Sequence, residues 1–122
     1  MKTTDTSPVR CEAIAVFDLK MASAYYACVF DAELGAEADM AGRDMMIGDR
    51  RYHLIHDKAA VANAERDMLA PVLDVDVSIA RVATKGGRIV EQPAITPAGV
   101  REGRVVDPFG HSWRVSAQTH PI

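Results

Sequence analysis

One short string occurs twice in the chain: Val16-Phe17-Asp18-Leu19 near the start and Val72-Leu73-Asp74-Val75 past the middle. Each copy is an apolar, strand-like stretch meeting an aspartate suited to cap a helix. The strand reading takes in Cys11 to Leu19 in the first copy and Pro71 to Val75 in the second. Behind each aspartate, apolar residues recur at helical spacing until glycine intervenes. Lys20 to Leu34 carries Met21, Ala24, Tyr25, Ala27, Cys28 and Phe30 before Gly35, and Val77 to Thr84 carries Val77, Ile79, Ala80, Val82 and Ala83 before Gly86-Gly87. Strands then follow in both halves. Met45–Ile47 and Tyr52–Ile55 flank Gly48-Asp49-Arg50-Arg51, whose Gly-Asp marks a hairpin turn. In the second half, Arg88 to Glu91 reads as a strand and Gln92 to Glu102 as a loop. Gly103–Val106 and Ser112–Ala117 then flank the turn Asp107-Pro108-Phe109-Gly110. The same element order after both copies points to a duplication. The fold class it predicts is α+β, with one unit of βαβββ type used twice. The expected boundaries are a tail over 1–10, module one over 11–57, a linker over 58–68, module two over 69–117 and a tail over 118–122.

Composition narrows the function classes. A chain of 122 residues with 48% hydrophobic and 25% charged residues fits one ordinary globular domain. Its net charge of −3, with no Lys/Arg cluster beyond Arg50-Arg51, argues against nucleic acid as a partner. The polar segment 1–8 lacks the apolar core of a signal peptide, and no apolar run is long enough to span a bilayer, so no membrane partner and a cytoplasmic location are expected. Cys11 and Cys28 lack C-x-x-C spacing and are expected to be reduced. There is no phosphate-binding glycine loop opening a helix and no G-x-S-x-G elbow, which disfavours nucleotide chemistry.

The paired modules, the segment DLKMASAYYACVFDAELGAEA and the late DPFGHSW resemble the vicinal oxygen chelate superfamily of glyoxalase I, bleomycin-resistance proteins and extradiol dioxygenases. IGDRRYHLIHD, DVDVSIARVATKGGRIVEQP and RVVDPFGHSW look most like its PhnB-like, phosphonate-operon branch. The resemblance implies two tandem βαβββ modules forming a curved mixed sheet with a cleft, which in many members holds a divalent metal on His, Gln and Glu ligands and leaves positions open to vicinal oxygens of a substrate. Transferred position by position, the usual first-strand His falls on Cys11, its counterpart in the second module on Asp67, and the Glu after the D-P-x-G turn on Arg114. A guanidinium cannot ligate a metal and repels one at short range. No cofactor and no metal are therefore expected.

Strand alternation puts Ser112, Arg114 and Ser116 on one face and Trp113 and Val115 on the other, with Trp113 in the core. Arg114 is then either a bidentate holder of a carboxylate or phosphonate, or simply the partner of a nearby acid. His53 is either an acid/base or hydrogen-bonding group in the cleft, or an exposed, satisfied histidine, and His56 points to the opposite face. His111 is expected to serve the turn, Tyr25 and Tyr26 to split between core and flank, and Cys28 to be buried and inert. The candidate ligand-binding set is His53, Ser112, Arg114 and Cys11. The leading expectation is a metal-free homodimer that sequesters a small metabolite or antibiotic in the inter-sheet cleft. One alternative is a metal-dependent lyase, isomerase or dioxygenase with ligands from Cys11, His53, His56 and Asp67. The other is a structural or partner-binding domain with a filled cleft.

Overall fold

The computed structural model describes residues 11–36, 42–58 and 67–118. The first module runs β1 (Cys11–Val16), α1 (Leu19–Val29), β2 (Glu33–Leu34), β3 (Gly42–Ile47) and β4 (Arg50–His56). The second runs β5 (Asp67–Val72), α2 (Val75–Thr84), β6 (Arg88–Ile95), β7 (Arg101–Val106) and β8 (Ser112–Ala117). Each module closes into a four-stranded mixed sheet, in the orders β1-β4-β3-β2 and β5-β8-β7-β6. In both, the first strand runs parallel to the last, with Cys11 beside Arg51 in one sheet and Asp67 beside Ser112 in the other. This is the α+β, twice-βαβββ architecture expected from the duplicated string.

Both repeated aspartates cap helices, which is why the string recurs. Asp18 accepts from the Met21 N–H at 2.9 Å and Asp74 from the Val77 N–H at 3.1 Å, each from an extended backbone. Several boundaries differ from the sequence expectation. Helix α1 stops at Val29, because Asp31 takes a left-handed φ of 54° that ends the helical path; Glu33–Leu34 is already β2, and Gly35 plays no part in stopping the helix. Strand β6 continues through Gln92 and Pro93, where a loop was expected. An edge strand with register shifts between Ile89 and Ala94 accommodates a proline that donates no ladder bond. Strand β5 begins at Asp67, inside the stretch read as linker, and residues 59–66 of that linker lie outside the described residues.

One face of each sheet carries its helix, and the two helix-bearing faces look toward each other. Ile14, Val16, Met45, Ile47, Tyr52 and Leu54 from the first sheet, and Met68, Ala70, Val72, Val105, Trp113 and Val115 from the second, join the buried faces of α1 and α2 in one core. Trp113 is fully buried and its ring meets Tyr52, Phe30 and Tyr26 at centroid distances of 5.3, 5.0 and 5.4 Å. Tyr25 and Tyr26 are both buried, where one had been expected to flank, because α1 is covered by the second module as well as by its own sheet.

Polar contacts lock the modules together. Asp107, buried at the β7–β8 turn, accepts the Tyr26 O–H and the Trp113 indole N–H on one oxygen, and the Phe109 and His111 N–H groups on the other. A buried carboxylate with four donors satisfies the demand that polar groups in a core be paired. His111 Nε2 lies 2.8 Å from the Ala15 carbonyl, so it donates, and the Tyr52 hydroxyl donates to the Leu69 carbonyl. Burial and the neighbouring Asp107 charge push the Tyr26 phenol well above its ordinary pKa, and burial first, then Asp107, does the same to Tyr25.

Candidate functional site

Because Tyr52 and Trp113 turn inward to the shared core, their strand neighbours turn outward. His53 stands on the open face of the first sheet; Arg114 stands on the open face of the second. The two positions are equivalent in the repeat, since Ala13 pairs with His53 as Leu69 pairs with Arg114. The expected cleft between the two sheets of one chain is therefore filled, and its candidate residues look away from one another. His53 is on one open face, Ser112 and Arg114 are together on the other, and the Cys11 side chain lies outside the described residues. His53 and His56 occupy opposite faces of β4 and Asp67 belongs to the second sheet, so the ligand set of the metal-dependent alternative does not converge within one chain. Cys28 is a free thiol and only half-buried, against the expectation of burial.

The open face of the second sheet is a lattice of charge. Ser112 donates its hydroxyl to Asp67 Oδ1. Arg104 approaches the same carboxylate from the next strand but one, with Nε 3.0 Å from Oδ2 and Nη2 donating to Oδ1 at 3.2 Å, and its Nη1 donates to Glu91 at 3.1 Å. Arg104 and Arg114 are direct cross-strand neighbours. Two like charges in that register repel unless carboxylates stand among them, and Asp67, Glu91 and Glu102 do so. The Ser112 hydrogen bond first, then Arg104, holds the Asp67 carboxyl below the usual carboxylate range. Arg114 is the loosest member. Its Nε is 3.5 Å from Glu102, its terminal amino groups bond no described residue, and about half of its side chain meets solvent, at 49% exposure.

The first sheet's open face has a different character. Asp44 holds His53 Nδ1 at 2.7 Å, and the imidazole lies over Gly42, where an added Cβ would stand 2.7 Å from Nε2. Glu33, Met46 and Arg51, neighbours across β2, β3 and β4, line a hollow of about 410 Å³ together with Asp44. Sequence reading missed Arg104, Glu91, Asp67's ion pair and Asp44 as site residues. Register would have found two of them: counting outward from the Asp107–Gly110 turn sets Arg104 opposite Arg114, and counting from Gly48-Asp49 sets Asp44 opposite His53.

The sequence profile of the glyoxalase/bleomycin resistance protein/dioxygenase superfamily matches residues 9–115. The chain belongs to this superfamily. No curated protein matches its sequence. Solved structures share the fold at low identity. A hypothetical protein of S. aureus superposes with a TM-score of 0.74 at 18% identity, covering 93% of this chain and 95% of that one. A fosfomycin resistance protein from Listeria monocytogenes gives 0.73 at 17% over 94% and 96%. A lactoylglutathione lyase from Agrobacterium tumefaciens gives 0.62 at 19% over 93% and 96%. Among the described residues no three His, Cys, Asp or Glu side chains converge as a metal-ligand set. At the superfamily's ligand positions, both Asp67 oxygens are engaged by Arg104 and Arg114 brings a second cation, so the donors described on this face do not fit a divalent ion. No helix among the described residues is long and apolar enough to cross a membrane.

Proposed function

We propose that the protein is a metal-free binder of small anionic molecules, in the manner of the superfamily's resistance proteins, with Arg114 as its anchor. The observation that carries this reading is the half-exposed guanidinium of Arg114, which meets Glu102 only through Nε at 3.5 Å. A planar guanidinium offers two parallel N–H bonds to a carboxylate or phosphonate, while the buried Ser112 hydroxyl is engaged by Asp67 and does not reach a ligand. Such a ligand also fits the phosphonate-operon branch, which the wording of several segments resembles.

One open sheet face is too exposed to bury most of a ligand, as small-molecule sites do. The reading therefore includes a homodimer in which the module-one face of one copy, with its hollow beside Glu33, Met46 and Arg51, covers the Arg114 face of the other. Closed two-fold pairing gives two such clefts from self-complementary surfaces. The ligand is then held between sheets of different copies, in place of the filled space between sheets of one.

A panel of small carboxylates and phosphonates, aliphatic and aromatic, read by calorimetry, tests the reading. At least one is expected to bind saturably, with Arg114→Ala weakening it by about tenfold or more, the loss of one charge-assisted bidentate contact. A panel in which nothing binds sinks the proposal. Light scattering at micromolar concentration is expected to give twice the chain mass, and a monomer would remove the two-copy cleft.

A further inference from the structure

The open face of the second sheet carries the carboxylates Asp67, Glu91 and Glu102 among the guanidiniums of Arg104 and Arg114, and the register of β6 with β7 puts Arg88 on the same face. Carboxylates brought together on one face need a cation between them. Here the cation is part of the chain. Arg104 reaches from β7 across β8 to Asp67 on β5 and, in the other direction, to Glu91 on β6, so that one guanidinium bonds carboxylates from both sides at 3.0–3.2 Å. We infer that Arg104 is a built-in substitute for a divalent metal ion, holding the Asp67 carboxylate where an ion otherwise would. This inference rests on the metal-free reading above and explains how the fold keeps that face ordered.

The substitution has a chemical consequence. A metal ion offers open coordination positions to a substrate and acts as a Lewis acid, whereas a guanidinium held between two carboxylates offers only fixed positive charge. It stays charged at every physiological pH and does not depend on metal supply. The face can therefore orient an oxyanion, through Arg114 beside it, without polarising the ligand toward reaction. Binding without turnover is the behaviour this arrangement supports.

Removing the internal cation should uncover the latent site. In Arg104→Gln combined with Arg114→Glu, Asp67 and Glu91 lose their guanidinium and a third carboxylate takes the cross-strand position. Mn²⁺ titrated calorimetrically should bind this variant at least about a hundredfold tighter than it binds the wild type, the order expected when a like charge in contact with a divalent ion is removed. Mn²⁺ should also raise the melting temperature of the variant and leave that of the wild type unchanged. Should the double variant fail to fold, Arg104→Gln alone carries the test, with a gain of about tenfold expected. A folded variant that binds Mn²⁺ no better than the wild type overturns the inference, and so does a wild type that takes up Mn²⁺ as tightly as the variant. Inorganic phosphate binding by the wild type and its loss in Arg114→Ala reads the proposed function separately, so either idea can fail without the other.

Discussion

The two modules place the same backbone slots at the service of different chemistry. His53 and Arg114 are equivalent in the parallel pairing of first and last strands, and Asp44 and Arg104 are their respective cross-strand neighbours. Module one thus has a carboxylate gripping an imidazole beside a hollow of about 410 Å³. Module two has two guanidiniums kept apart by acids. Inward, the halves stay alike, since both helices are capped by an aspartate and both sheets bury an aromatic at the same slot, Tyr52 and Trp113. The core constrains what a duplicated fold keeps, while the open faces are free to diverge. What breaks the inward likeness is the last turn of module two, where Asp107 binds both halves.

That asymmetry predicts the largest effect. Asp107→Ala strands the Tyr26 hydroxyl, the Trp113 indole N–H and two backbone N–H groups in the core and should cost about 3 kcal/mol or more in urea denaturation. The corresponding turn of module one holds an exposed Asp49, and Asp49→Ala should stay within about 0.5 kcal/mol. Equal losses would dissolve the contrast. Next in size, Asp18→Ala and Asp74→Ala should each cost about 1 kcal/mol and match one another, because the caps are the same in both copies. A marked inequality would mean the repeat is not equivalent energetically.

The smallest expected effect concerns pH. The Asp67 pKa is lowered in the folded chain, so its contribution to stability is present above the ordinary carboxylate value of about 4 and is lost as pH falls through the lowered one. Asp67→Asn should flatten the acid limb of a stability-versus-pH curve. At the alkaline end, the raised Tyr25 and Tyr26 values mean that stability is intact below about pH 10, where an unfolded tyrosine ionises, and declines above it. Tyr26→Phe should remove part of that decline.

The fold was legible because its signals are local and doubled. Asp18 and Asp74 announce helix starts, Asp107-Pro108-Phe109-Gly110 announces a turn, and alternation from Ser112 to Ala117 assigns Trp113 to the core. Misplaced boundaries trace to tertiary context. Nothing local forbids α1 from continuing to Leu34, yet Asp31 turns left-handed to start β2, and Pro93 is admitted to β6 only because that strand is an edge. The site was half legible. His53 and Arg114 could be singled out as outward-facing polar residues, but which way each sheet's open face points depends on how the modules dock. That is decided by Trp113, Tyr52 and Tyr26, residues distant from one another in sequence. Arg104 gave no signal of its own, because its role exists only in the register of four strands.

Elemental analysis of untagged, dialysed protein by plasma mass spectrometry asks whether a guanidinium, and not a metal, serves the carboxylates of the second module's open face. Only trace divalent metal is expected. A stoichiometric metal surviving dialysis would contradict it and return the chain to the superfamily's metal-dependent chemistry.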